Sequence, residues 1–85
     1  MNIKVLGSGC PNCRTLEHRT RDAATALHLE VSVEKVQDIQ QIVSYGIMRT
    51  PGLVIDGHVV LAGSVPTVDE LKSILQRHAS LPQAG

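Results

Sequence analysis

The sequence predicts one small α/β domain in the order β-α-β-α-β-β-α, with a four-stranded mixed sheet covered by three helices. Three observations point there. The spacing of apolar residues switches repeatedly between strand and helix periods. Each of the first two strand-like runs is followed by a helix, and right-handed crossovers make such strands parallel. Asp56-Gly57 between two apolar runs marks a hairpin, which adds an antiparallel edge. A chain of 85 residues can bury one core but not two, so residues 1–78 are expected to form the domain and 79–85 a tail.

The elements follow in order. Ile3, Val5 and Leu6 are β-prone, and Gly7, Ser8 and Gly9 break the run. From Cys13 a stripe of Leu16, Thr20, Ala23, Ala24 and Leu27 has helical spacing, with Arg14, Glu17, Arg19, Arg21 and Asp22 mostly off it. Leu29 to Lys35 alternates as a strand, with Leu29, Val31 and Val33 on one side. Asp38 and Gln41 fit a capping box, Ile39, Ile42 and Val43 give the next helix a short apolar face, and Gly46 can stop it. Leu53-Val54-Ile55 lacks alternation, as expected of a strand buried on both faces. His58 to Ala62 returns from the hairpin turn. Thr67 with Glu70 opens a last helix whose inner face uses Val68, Leu71, Ile74 and Leu75.

Composition narrows the function. Tyr45 is the only aromatic residue, so the core must be aliphatic and a large aromatic-lined ligand site is not expected. Eight basic residues balance eight acidic ones without a basic block, which argues against nucleic acid and against an anionic membrane surface. No apolar run is long enough for a signal peptide or a membrane span, so a soluble, cytoplasmic protein is expected. Nothing resembles a flavin or nicotinamide site.

Cys10 and Cys13 are the only cysteines, spaced Cys-x-x-Cys where the first strand gives way to the first helix. A thiol at a helix start lies near unpaired N–H groups and the positive helix end, which favours its thiolate. A second thiol one turn later can attack a mixed disulfide. Cys10 is therefore the candidate nucleophile and Cys13 the candidate resolving thiol. Gly9 permits a sharp turn, Pro11 sets φ in the first helical turn, and Asn12 needs no proton-transfer role. A purely structural staple would close too short a loop to remove much unfolded-chain entropy.

Metal binding stays open as the alternative. Zinc needs two further ligands, and none of His18, His28, His58 and His78 has finger-like spacing to Cys13. A soft ion such as copper(I) or arsenic(III) needs fewer ligands. Copper carriers, however, typically place a Met where Ser8 stands and follow a different element order. A binding adapter with an incidental cysteine pair is a third reading.

Thr50-Pro51 precedes the buried-looking run Gly52 to Ile55. A proline there either ends a loop in the trans form, the default for this local sequence, or presents backbone beside the cysteines through a cis peptide.

Taken together, GCPNC at 9–13, YGIMRTPGLVIDG at 45–57 and the late Gly63 resemble the thioredoxin superfamily, specifically its very small redox-active disulfide proteins. The resemblance implies a thioredoxin-like fold, a redox-active Cys10–Cys13 disulfide with no other cofactor, and a cis Thr50–Pro51 peptide. It also implies that Thr50 and Pro51 face the disulfide and meet substrate, and that Gly63 meets substrate backbone or glutathione unless it serves only as a turn glycine. From their own positions, Tyr45 is expected to pack at the end of the second helix, with shaping of the active-site rim as the alternative, and Met48 to make an apolar loop contact, with flanking of the cysteines as the alternative. Against ordinary thioredoxin, Lys4 stands where a buried acid is common, and no tyrosine flanks Cys10; an exposed lysine is the simpler expectation for Lys4. The function implied is thiol–disulfide oxidoreduction in electron transport and cell redox homeostasis, with transient partners in a reductase and in disulfide-containing proteins, and glutathione as a further candidate.

Overall fold

A computed structural model describes residues 1–7 and 11–80. The elements are β1 (Asn2–Leu6), α1 (Pro11–Ala26), β2 (Ser32–Val36), α2 (Ile39–Ser44), β3 (Gly52–Ile55), β4 (His58–Ala62) and α3 (Val68–Ser80). This is the predicted order. The strands form one sheet in the order β2-β1-β3-β4. β1 runs parallel to β2 and antiparallel to β3, and β3 is antiparallel to β4.

β3 lies inside the sheet and all four of its residues are buried, which explains its unbroken apolar sequence. Asp56 and Gly57 both take positive φ, as a two-residue hairpin turn of matching twist requires. Asp56 also ties the turn to the start of β1. Its N–H donates to the Asn2 carbonyl at 2.8 Å, and its carboxylate accepts from the Asn2 N–H at 2.8 Å. Leu53 pairs with Leu61 but Val54 pairs with Val59, so Val60 is an extra residue that bulges β4.

The sheet separates two apolar clusters. On one face Ile3, Val5, Leu53 and Ile55 pack with Leu16, Ala23 and Ala24 of α1 and Leu71 and Leu75 of α3. On the other, Leu6, Val36 and Val54 pack with Ile42 of α2 and with Ile47. Thr20 is fully buried, and its hydroxyl donates to the Leu16 carbonyl at 2.7 Å, so the polar atom costs little. Arg19 anchors α1 to the segment before α3 by donating to the Pro66 carbonyl at 3.0 Å.

Some boundaries differ from expectation. β2 begins at Ser32 rather than Leu29, because its ladder starts where Ser32 meets Asn2, the first residue of β1; Leu29 and Val31 still pack against the core. Asp38 caps α2 through the Gln40 N–H at 2.9 Å, one position earlier than a capping box. Only Ile42 of the expected α2 face is buried, whereas Ile39 is 70% and Val43 62% exposed. One six-residue helix turns too few side chains toward the sheet to cover all three. At the other end of the chain, α3 continues to Ser80.

Candidate functional site

Cys13 is the third residue of α1 and is 5% exposed. Its environment is set by the end of β1. The N–H of Gly7 donates to the Val36 carbonyl at 2.9 Å, which carries the β1–β2 ladder one residue further and fixes Gly7 against the first turn of α1. A Cβ at Gly7 would collide with Cys13 Sγ and come within 3.9 Å of Thr50 Cβ. Gly7 thus lies where β1, α1 and the segment before β3 come together, and it accommodates Cys13 because it lacks a side chain.

No cysteine among the described residues is free, and Cys13 is disulfide-bonded. Cys10 and Gly9 lie outside the described residues. In sequence, Cys10 immediately precedes Pro11, the first residue of α1. Pro11 and Asn12 are exposed on the opening turn of that helix.

The Thr50–Pro51 peptide is cis, where the local sequence alone favoured trans and the wider resemblance favoured cis. Pro51 is buried and Thr50 exposed. The Pro51 carbonyl accepts a 2.8 Å hydrogen bond from the N–H of Gly63, which holds φ +80. Gly63 also packs on Arg49, whose Cβ would lie 2.8 Å from an added Cβ. The Gly63 turn is thus hydrogen-bonded to the Pro51 loop, and Thr50 of that loop lies near Gly7, which packs on Cys13. Met48 is 98% exposed beside this loop.

Tyr45 and Lys4 lie elsewhere. Tyr45 caps α2 and packs on the apolar cluster under it, and its hydroxyl accepts from Lys4 Nζ at 3.2 Å. The ammonium also sits 5.9 Å from the ring centroid. Lys4 is half-buried in mid-strand, not the exposed strand-end lysine that the sequence suggested. The hydrogen bond and charge of Tyr45, aided by Glu34, raise its pKa against the opposing effect of burial. Strand alternation explains the placement: Lys4 shares a face with Leu6, while Val5 and Gly7 line a cavity with Cys13.

The carboxylate that accompanies Cys13 comes from the helix. Glu17, one turn further along α1, lines the same cavity of about 110 Å³, together with Lys35. It pairs with Arg21 at 2.9 Å and Lys35 at 3.2 Å, with its side chain 14% exposed. Burial works against its charge, but the hydrogen bonds and charges of Arg21 and Lys35 outweigh that and hold its pKa below the ordinary value. Glu17 is therefore ionised near neutral pH and is a poor acceptor for a thiol proton. The sequence carried a signal for it, the i, i+4 spacing from Cys13 on a helix, but sequence reasoning assigned Glu17 to the solvent side.

Among the described residues no group of three or more His, Cys, Asp or Glu side chains could hold a metal ion. No described helix is long and apolar enough to cross a membrane.

Comparison with known proteins agrees with this geometry. The thioredoxin domain family matches residues 1–76. A thioredoxin of Methanothermobacter thermautotrophicus is 37% identical over 75 residues, which is 88% of this chain and 97% of the relative. A thioredoxin of Methanocaldococcus jannaschii is 30% identical over 76 residues, covering 89% of this chain and 87% of the relative. The chain belongs to the thioredoxin family of thiol–disulfide oxidoreductases.

Proposed function

We propose that this protein exchanges a Cys10–Cys13 disulfide with protein or small-molecule thiols, with Cys10 as nucleophile and Cys13 as resolving thiol. The observation that carries the reading is Cys13, disulfide-bonded and buried in the first turn of α1 against Gly7, three residues after the chain's only other cysteine.

The chemistry follows from position. Cys10 is the residue before α1, where unpaired N–H groups and the helix dipole stabilise a thiolate. The thiolate attacks one sulfur of a partner disulfide, forms a mixed disulfide and expels the other sulfur as a thiolate, which takes up a proton. Cys13 then loses its proton and attacks Cys10 Sγ, releasing the partner's second thiol and closing the Cys10–Cys13 bridge. Two electrons pass to the partner, and a reductase or another dithiol returns the protein to its reduced form. Burial of Cys13 keeps the second thiol from external attack and reserves it for the resolving step. Thr50, Pro51 and Gly63 are the substrate-facing groups in this reading. Gly9, Pro11, Asn12 and Met48 border the pair in this reading, whereas Tyr45 packs on the other face of the sheet with Lys4.

Cysteine variants test the assignment. With a disulfide peptide as substrate, Cys10→Ser abolishes exchange, whereas Cys13→Ser still attacks once and accumulates the mixed disulfide, visible by intact mass. Exchange by Cys10→Ser at the wild-type rate would overturn it.

A further inference from the structure

Five of the eight Lys and Arg side chains have partners within the fold. Lys4 donates to Tyr45, Arg19 donates to the Pro66 carbonyl, Arg21 and Lys35 pair with Glu17, and Lys72 lies 4.0 Å from Asp69. Among the described residues, the other three, Arg14, Arg49 and Arg77, form no ion pair or side-chain hydrogen bond. Arg77 stands in the last turn of α3, where the helix dipole favours a cation. Arg14 and Arg49 have no such explanation.

Arg14 runs against the local preference. It is the fourth residue of α1, at the helix end whose dipole favours anions, and it is exposed. It follows Cys13 directly and lines the same cavity. Glu17, the one carboxylate on that cavity, is already paired with Arg21 and Lys35. Arg49 precedes Thr50, whose Cβ lies 3.9 Å from the position of a Cβ on Gly7, the glycine that packs on Cys13. The Arg49 stem lies along the Gly63 turn, with its Cβ 2.8 Å and its Cδ 3.0 Å from the position of a Cβ on Gly63. The residue as a whole is exposed, so the packed stem carries its guanidinium toward solvent with less rotamer freedom left to lose on binding. Two unpaired cations therefore flank the junction of Gly7, Cys13 and Thr50 in a chain whose formal charges balance.

We infer that Arg14 and Arg49 select substrates by charge: their guanidiniums receive carboxylates of acidic side chains that flank the disulfide of a protein substrate. This rests on the redox function proposed above. The planar guanidinium fork matches a carboxylate, and opposite charge also speeds encounter. The exchange itself is unaltered. The Cys10 and Cys13 thiols pass two electrons and two protons to the substrate's S–S bond, which becomes two thiols while the protein's own disulfide closes. Cations that served only the Cys10 thiolate would act on every substrate alike, so the ratio between substrates separates the two roles.

The test uses stoichiometric reduced protein in single turnovers, quenched with acid. Three peptides share one internal disulfide, flanked by Glu, by Gln or by Lys, and glutathione disulfide and bis(2-hydroxyethyl) disulfide are run beside them. Each peptide rate is divided by the rate of the same peptide with dithiothreitol, which removes the intrinsic effect of charge on the sulfurs. At about 0.02 M salt the wild-type protein is expected to reduce the Glu peptide at least fivefold faster than the Gln peptide, and the Lys peptide more slowly than either. At about 1 M salt, where the Debye length is about 3 Å, the preference falls below twofold. The double variant Arg14→Gln, Arg49→Gln loses the preference, and Arg14→Glu, Arg49→Glu reverses it in favour of the Lys peptide. Arg49→Lys retains most of it, and Arg77→Gln, an exposed cation on α3, leaves it unchanged. Thermal unfolding accompanies each variant, and if a double variant is unfolded, Arg14→Gln and Arg49→Gln are judged singly, each by a lower preference.

Equal normalised wild-type rates with the Glu and Gln peptides, or a preference that survives in the folded double variants, overturns the charge assignment and leaves the redox function standing. Equal slowing of all three peptides in the variants would assign the cations to the Cys10 thiolate and likewise overturn it. An arginine effect confined to glutathione disulfide would move the carboxylate site to that tripeptide and overturn the protein-substrate assignment. Wild-type protein inert toward bis(2-hydroxyethyl) disulfide would overturn the redox function and the charge selection with it.

Discussion

Replacing Gly7 by Ala places a methyl group where Cys13 Sγ now sits. Gly7 does not occupy the left-handed backbone region, so alanine suits its backbone and the cost is packing. The sulfur has little room to withdraw, because Cys13 is 5% exposed and bonded to another sulfur. Overpacking of this kind costs about 1–3 kcal/mol. The reduced conformational freedom of the unfolded chain offsets about 0.4–1 kcal/mol of that. The net loss in the oxidised protein is about 1–2 kcal/mol, which in a domain this small lowers Tm by roughly 5–15 °C. Reduction frees Cys13 to rotate its thiol away from the new methyl, so the reduced protein loses less. If the difference is about 1 kcal/mol, the disulfide becomes easier to reduce and its potential rises by about 20 mV. Urea unfolding of both redox forms gives the stabilities, and a glutathione titration quenched by alkylation gives the potential. An oxidised Gly7→Ala protein as stable as wild type, or a potential that falls, would refute the packing account of the site.

Leu16→Ala, at a fully buried position in the cluster between α1, α3 and the sheet, is expected to cost about 2–5 kcal/mol, checked by urea unfolding. Gly63→Ala meets both a φ of +80 and the Arg49 side chain. A loss of about 1 kcal/mol or more is expected, together with slower exchange with peptide disulfides because the turn that donates to Pro51 must shift. Glu17 has a pKa lowered in the folded protein, so its contribution to stability is present above its unfolded pKa and is lost as pH falls through the folded value. Glu17→Gln should accordingly flatten the acid limb of stability against pH, and an unchanged limb in acid-unfolding profiles would contradict this. Asp38→Ala removes the α2 cap and is expected to cost about 0.5–2 kcal/mol, read from the urea midpoint.

The parts of the fold written in local pattern were legible in the sequence. Asp56-Gly57, the unbroken Leu53-Val54-Ile55 run and the Leu16 to Ala24 stripe each encode their own environment, and the structure realises all three. What sequence could not supply was the side of the sheet on which a residue falls relative to elements distant in the chain. Lys4 was aligned with a catalytic acid by counting, yet strand alternation turns it toward Tyr45 on the α2 face. Glu17 was read as a solvent-side residue of an amphipathic helix, yet Lys35 of β2 closes over it beside Cys13. Ile39 and Val43 looked like core because apolar periodicity does not reveal how much neighbouring surface exists to cover them. Gly7 appeared only as a strand breaker; its tight fit against Cys13 depends on β1, α1 and the Thr50 segment meeting in space.

The most direct test of the central claim is the thiol–disulfide equilibrium of Cys10 and Cys13. Protein is equilibrated across a dithiothreitol or glutathione series, quenched with a thiol-alkylating reagent and read by intact mass, with metal content measured in the same samples. A reversible two-electron transition between a doubly alkylated and an unalkylated species, without bound metal, is the expected result. Two thiols that form no intramolecular disulfide at any potential, and that are protected from alkylation by a stoichiometric metal ion, would contradict the account.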